Sequence, residues 1–264
     1  MINFYLKSLR GYWPTAGALS KGKLSALVLF VALLSVPIRK RLFGRNPKKV
    51  HLYLKSLGTV EFFVRDGADI SALREVFAQG EYAVPGVQIT PRHIVDLGGH
   101  IGSATLYFKS VYPNVKITVY EPDPENYSVL CKNIEKYNGV RVVQAAVADR
   151  SGMISLYKNA GSSTKSSTKE KYQDALAVEV RAVSLSDVIE KDVDVIKFDI
   201  EGAEYDVFKS LPDGIINQIK LFVGEFHYGI TKRSKQEFEA LFSGYVFSWK
   251  DIGMSCAMVV IEKQ

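Results

Sequence analysis

The sequence predicts an α/β fold, a doubly wound sheet that is mostly parallel and closes on an antiparallel C-terminal strand. Three observations carry that expectation. Between residues 93 and 226, short runs rich in Val, Ile and Phe alternate with stretches of helical periodicity, which requires parallel strands covered on both faces. The first of these runs ends in a glycine-rich turn at residues 98–102. The last two apolar runs, 245–250 and 255–262, are joined only by residues 251–254, too few for a crossover helix, so they pair as a hairpin.

Taken in order, residues 1–49 form an arm, 50–90 a hairpin with a helix cap, and 91–264 the main domain. The arm is set apart by charge. It carries Lys7, Arg10, Lys21, Lys23, Arg39, Lys40, Arg41, Arg45, Lys48 and Lys49 and no acid. The chain has 34 Lys and Arg, so the rest holds 24 against 28 Asp and Glu. The basic balance therefore belongs to the arm, and the main domain has no electrostatic basis for a nucleic-acid partner.

Within the arm, residues 24–36 read LSALVLFVALLSV. As a helix this run reaches only about 20 Å, short of the roughly 30 Å hydrocarbon core of a bilayer. No small-x-small cleavage site follows it. Two readings stay open. A helix can lie in the membrane interface with its basic flanks on anionic headgroups, or it can be buried against the main domain. The two cysteines, Cys131 and Cys256, are too few for a disulfide framework and have no zinc-ligand spacing, which fits a reducing, cytoplasmic compartment.

Residues 51–54 and 59–64 read as strands around a Ser56-Leu57-Gly58 turn, and 69–77 as a helix opened by an acidic cap at Asp69. Strands follow at 93–97, 115–120, 140–145, 193–198 and 221–226, with helices at 102–111, 124–137 and 234–242. Residues 159–174 are polar and rich in small side chains, and they separate strands at 153–157 and 177–183. A mobile surface loop is the plainer account of that segment, and a lid over bound substrate is the functional one.

The stretch IVDLGGHIGSATLYF, 94–108, holds the most chemistry. Gly98, Gly99 and Gly102 allow a tight turn at the carboxyl end of the first main strand, the crevice where nucleotides bind. His100 breaks the G-x-G-x-x-G spacing of a dinucleotide site, and Asp96 would repel a pyrophosphate. An NAD(P)-dependent oxidoreductase is thereby disfavoured, and the terminal hairpin also speaks against it. S-adenosylmethionine fits better. Asp96 is expected to help hold its cationic end, directly or through water, while the loop amides serve its carboxylate. Glu121 lies 23 residues after Gly98, where an acid accepts bonds from both ribose hydroxyls, with Pro122 beside it. Gln144 and Ala146 fall where the adenine should lie.

These residues are similar to the FkbM-type S-adenosylmethionine-dependent methyltransferases. The resemblance runs through GEY (80–82), DLGGHIG (96–102), EPDPEN (121–126), AVADRSG (146–152), KFDIEGAE (197–204) and EFH (225–227). It implies a class I methyltransferase fold of Rossmann-like type. It also implies O-methylation of a hydroxyl on a sugar, glycolipid or related natural product. Asp96, Gly98, Gly102 and Glu121 fall on its cofactor positions, and Asp199, Glu201 and Glu204 on its acidic signature. Gly99 stands where the family more often has Ala, a mild departure. The arm lies outside the resemblance.

Methyl transfer needs an aligned acceptor and a place for its proton. Asp199, at the mouth of the fourth main strand, is expected to touch both cofactor and acceptor, followed by Glu201; Glu204 has a plainer role at a helix N-terminus. Glu225 and His227 lie two apart on one strand face, so His227 can act as base with Glu225 orienting it. The same residues with Asp199 also have cation-binding chemistry, but they form no dense cage and no metal is expected. His51, His93 and both cysteines read as structural. Nothing in the sequence sets the oligomeric state or names the acceptor. A catalytically silent, membrane-attached binding module is the rival from another class.

Overall fold

The computed structural model describes residues 11–158, 166–168 and 176–264. Strands β1 (Lys48–Leu54) and β2 (Gly58–Val64) form the expected hairpin in full register from Lys48↔Val64 to Leu54↔Gly58. The main sheet contains β3 (His93–Leu97), β4 (Lys116–Tyr120) and β5 (Val140–Val143). Between these and the sheet's second half, β6 (Ala146–Ala148), β7 (Gly152–Lys158), β8 (Ser166–Ser167) and β9 (Leu176–Ser184) build a separate sheet ordered β6-β9-β7-β8.

The second half comprises β10 (Val193–Phe198), β11 (Leu221–Phe226), β12 (Tyr245–Asp251) and β13 (Ala257–Lys263). The seven strands run β12-β13-β11-β10-β3-β4-β5. β13 is antiparallel to both β11 and β12, and the remaining pairings are parallel. A sheet that switches outward from β3 in both directions and ends in an inserted antiparallel strand is the Rossmann-like fold of class I methyltransferases, as expected.

Period-two alternation divides each central strand between two cores. On β3, Val95 and Leu97 enter one that contains Phe198, Phe208, Phe222, Phe226 and Phe238. Ile94 enters the other, with Ile117, Leu130, Val195 and the β1–β2 hairpin. Asp96 and Lys197 are register partners across β3 and β10 and so point the same way, a fact used below.

The arm is part of this second core. Residues 11–18 are helical, and the helix Lys23–Phe43 buries Ala26, Leu29, Leu33 and Val36. The last three pack in the cluster that contains Val50 and Leu52. Burial therefore accounts for one face of the 24–36 run. Among the described residues, no helix is long and apolar enough to cross a membrane.

Two local expectations are corrected. The helix near residue 70 spans Gly67–Leu73, and its cap is Asp66, which accepts from the Ala68 and Asp69 amides. Asp69 is instead fully buried in an ion pair with Arg65. Most of the 159–174 segment lies outside the described residues. Of the part described, β8 pairs with Tyr157 and Lys158, and the Ser167 hydroxyl donates to the Glu201 carbonyl at 2.6 Å, so this piece reaches the crevice.

Candidate active site

A cleft of about 1180 Å³ opens at the carboxyl ends of β3, β4, β10 and β11, lined by Gly98, Gly99, His100, Glu121, Pro122, Ala146, Asp199, Glu201 and Glu225 among others. That is room for a cofactor and an acceptor together. The glycine turn forms its floor. Gly98 has φ +83°, and a Cβ there would stand 1.9 Å from the Asp199 carbonyl oxygen, so only glycine lets β3 and β10 end side by side. At Gly99 a Cβ would meet Val119 at 2.3 Å and Leu130 at 3.1 Å. The departure from Ala at that position is therefore matched by packing beneath the loop. Gly102, at φ +92°, lies against Ile134 and caps the helix Ser103–Val111 rather than lining the cleft.

Glu121 occupies the wall expected for a ribose ligand. Its carboxylate accepts from the His100 amide at 2.8 Å, the Asp123 amide at 2.9 Å and Asn126 Nδ2 at 3.4 Å, and is only 5% exposed. Burial pushes its pKa up to about 7, against the charge of His100 and the amide donors. His100 takes φ +48° so that its amide can face Glu121, and its Nε2 stands 3.3 Å from Asp69 Oδ1. Asp69 also accepts from Arg65, which donates on to Asn126. Burial opposes ionisation of Asp69, yet the bonds from His100 and Arg65 outweigh it and hold the carboxyl well below its usual range. The 50–90 segment thus fixes this wall of the cleft from behind.

This wall yields a testable pH dependence. Ribose hydroxyls donate to the ionised carboxylate, so binding should release the proton that burial retains on Glu121. Affinity for S-adenosylhomocysteine is expected to rise as pH increases from 6 to 8 through about 7. Glu121→Gln should bind about ten- to a hundredfold more weakly and flatten that dependence. Calorimetric titration at several pH values checks both, and a slope unchanged in the variant would remove Glu121 from the ribose site.

Three cofactor expectations change. Asp96 is completely buried and does not line the cleft. Its Oδ2 accepts from Thr105 at 2.7 Å, and its Oδ1 lies 3.0 Å from Lys197 Nζ, which also donates to the Gly98 carbonyl at 2.6 Å. It braces the turn from beneath. The amides of Gly98 and Gly99 donate to the Tyr120 carbonyl, and those of His100 and Gly102 to Glu121 and the Gly99 carbonyl, so none of the four is directed at a ligand carboxylate. Gln144 is exposed and does not line the cleft, where Ala145, Ala146 and Val147 form the wall instead.

The acidic group gathers as expected, with a different internal order. Asp199 and Glu201 lie on the cleft wall, the latter at φ +50°. Asp199 Oδ1 has no hydrogen-bond partner among the described residues, and its nearest cation is His227 Nε2 at 4.0 Å. His227 itself is buried behind them. Its Nδ1 bonds Glu204 Oε1 at 2.8 Å, so Glu204 and not Glu225 orients the ring, while Nε2 stands 3.6 Å from Glu201 and 3.5 Å from Glu225. Burial opposes its charge, but Glu204 and Asp199 overcome this and raise its pKa far above the ordinary histidine value. These surroundings favour the imidazolium over the free base.

The sequence reading missed four participants. Lys197 sits inside an apolar strand run, and that placement was the available signal. Cys256, read as structural, donates its thiol to Glu225 at 3.3 Å. Glu81 shares a proton-bearing contact with Glu225, whose pKa burial and the repulsion of Asp199 push up to about 12. The Arg65–Asp69 pair has no local motif. Apart from His93/Glu190/Asp192, which does not line the cleft, two sets of metal-ligand type occur among the described residues, Asp199/Glu201/His227 and Glu225/His227/Cys256. Both use His227.

Comparison with known proteins agrees with this geometry. The family pattern described as "Methyltransferase FkbM domain" matches residues 96–247. Methyltransferase sdnD of Sordaria araneosa is 27% identical, over 60% of this chain and 82% of its own. The 31-O-demethyl-FK506 methyltransferase FkbM of Streptomyces tacrolimicus is 25% identical, over 58% and 73%. A solved methyltransferase FkbM from Methylobacillus flagellatus KT superposes at a TM-score of 0.47 and 13% identity, over 73% of this chain and 54% of that one. That superposition is loose, and the strand order itself carries the fold. With the family pattern spanning more than half its length, the chain belongs to the FkbM methyltransferase family.

Proposed function

We propose that this protein is an S-adenosylmethionine-dependent O-methyltransferase whose acceptor is a hydroxyl of a sugar, a glycolipid or a related natural product. Enzymes of this family and fold use S-adenosylmethionine generally, and one relative is named for an O-demethyl substrate. The observation that carries the reading is a cleft lined by the carboxylates Asp199 and Glu201 beside the glycine turn and by Glu121 at the end of β4. Such a cleft attracts a sulfonium and an ammonium and repels a pyrophosphate. Glu121 has carboxylate lone pairs left for ribose hydroxyls, and Ala145 to Val147 offer an apolar wall for a base.

Bound S-adenosylmethionine supplies an electrophilic methyl group on a good leaving group. The chain's residues then have to deal with the acceptor's proton. An aliphatic hydroxyl gives it up as the new carbon–oxygen bond forms, and the Asp199 carboxylate, on the cleft wall and 31% exposed, is placed to take it. Glu201 lies beside it to orient the hydroxyl. His227, held by Glu204, stands within 4.0 Å of Asp199 and 3.6 Å of Glu201 and holds the two carboxylates close together.

Thermal shifts test the donor. Stabilisation by S-adenosylhomocysteine and not by NADH is expected, and stabilisation by NADH alone would overturn the reading. A transfer screen with labelled methyl donor over cell-envelope extracts tests the acceptor class, and label on nitrogen or carbon products only would replace the hydroxyl.

A further inference from the structure

The helix Lys23–Phe43 is two-faced in an unusual sense, because both of its faces are apolar. At about 100° per residue, Ala26, Leu29, Leu33 and Val36 share the face packed on the domain. On the opposite side Leu24, Leu27, Val28, Val31, Ile38 and Leu42 share a stripe turned to solvent, from 49% exposed at Leu27 to 78% at Leu24. A helix that merely covers a domain has polar residues there. The edges of the stripe are basic. Lys23 and Arg41 fall along one side and Arg39 along the other, all exposed, with exposed Lys21 just before the helix. No acid lies in residues 1–50 to offset them.

We propose that this stripe is a docking surface for an anionic lipid bilayer, on which the helix lies in the plane of the interface. The helix does not cross the membrane. An exposed apolar stripe buries into the boundary between headgroups and acyl chains, and basic residues on both edges meet anionic headgroups at the same depth. A protein partner of ordinary surface composition would satisfy the stripe but not the cations along its two edges. Lys40 on the same helix lines the cleft, so docking brings the cleft wall within about one helix diameter, 10–12 Å, of the headgroups. This consequence for the acceptor rests on the proposed function; the docking itself does not.

The test is flotation of the full-length protein with vesicles of phosphatidylcholine alone or with about 30 mol% phosphatidylglycerol, enough to give the surface a negative potential. The protein should float with the anionic vesicles and be released by high salt. Val28→Glu with Val31→Glu should lower partitioning at least about tenfold while leaving the thermal shift by S-adenosylhomocysteine unchanged. That control separates loss of docking from loss of fold or of the cofactor site. Protein that stays in solution with both vesicle types overturns the proposal. So does flotation that the double substitution leaves intact. So does a dimer by light scattering that the substitution makes monomeric with vesicle binding unaltered, which would assign the stripe to a second copy. Vesicle binding that appears only after removal of residues 1–10 would assign it to the chain's own N-terminus and likewise overturn it.

Discussion

Asp199→Asn is expected to bind S-adenosylhomocysteine within about threefold of the parent while its turnover falls by roughly 10²- to 10⁴-fold, the range for loss of a positioned general base. The argument is geometric. The Asp199 amide donates to the Leu97 carbonyl at 3.0 Å, which fixes the residue at the mouth of β10, and its partly exposed carboxylate lines the cleft. Asparagine keeps the volume and the backbone bond but cannot accept a proton at neutral pH. Its loss should therefore appear in kcat more than in KM. Single-turnover transfer with saturating donor makes the measurement, and an Asn variant with parental turnover would pass the role to Glu201. His227→Gln has a different expected signature. It removes a positioning cation, so the pH profile should shift as the carboxylates lose a common counter-charge, with smaller loss at the optimum.

Lys197→Met carries the largest expected cost in stability. Lys197 is 2% exposed and Asp96 not at all, and they are joined at 3.0 Å beneath the glycine turn. Burial opposes the ammonium, but Asp96 and Asp199 keep its pKa above the usual lysine value. It also donates to the Leu97 and Gly98 carbonyls, and its charge lies 5.5 Å from the Tyr82 ring centroid. Taking the cation away leaves a carboxylate in an apolar interior with only Thr105, at a cost of roughly 3 to 5 kcal/mol and a fall on the order of 10 °C in melting temperature. The sign with pH follows. In the variant Asp96 has a raised folded pKa, so the folded state binds a proton that the unfolded state releases, and the deficit against the parent should shrink as pH falls from 7 toward 5. Adding Asp96→Asn should recover part of the loss at neutral pH. Calorimetric melts of the single and double variants decide it, and a single variant that melts with the parent would show that the pair is not the brace described.

Much of the fold was legible because its signals are local. Alternating apolar runs, the turn at 98–102 and a four-residue link before the last strand each dictate geometry over a few residues. Glu121 was legible for the same reason, since a strand end fixes its place. The roles within the acidic group were not. Whether Glu204 or Glu225 orients His227 depends on how the loop after β10 meets the end of β11, a contact between residues 23 apart in sequence. Asp96 misled because an acid at a strand end usually reaches the crevice; here its register partner is a lysine, and the pair closed on itself. The arm was ambiguous because an apolar run of that length is compatible with two surroundings, and the folded helix meets one on each side.

The position of β13 has a consequence for biosynthesis. It pairs with β11 on one side and β12 on the other, so β12, made earlier, has no place to settle until β13 emerges behind it. Translation can deliver the crevice between β3, β4 and β10 long before this, but that edge assembles only afterwards, and a nascent chain paused near residue 251 would offer β11 as an open template to other chains.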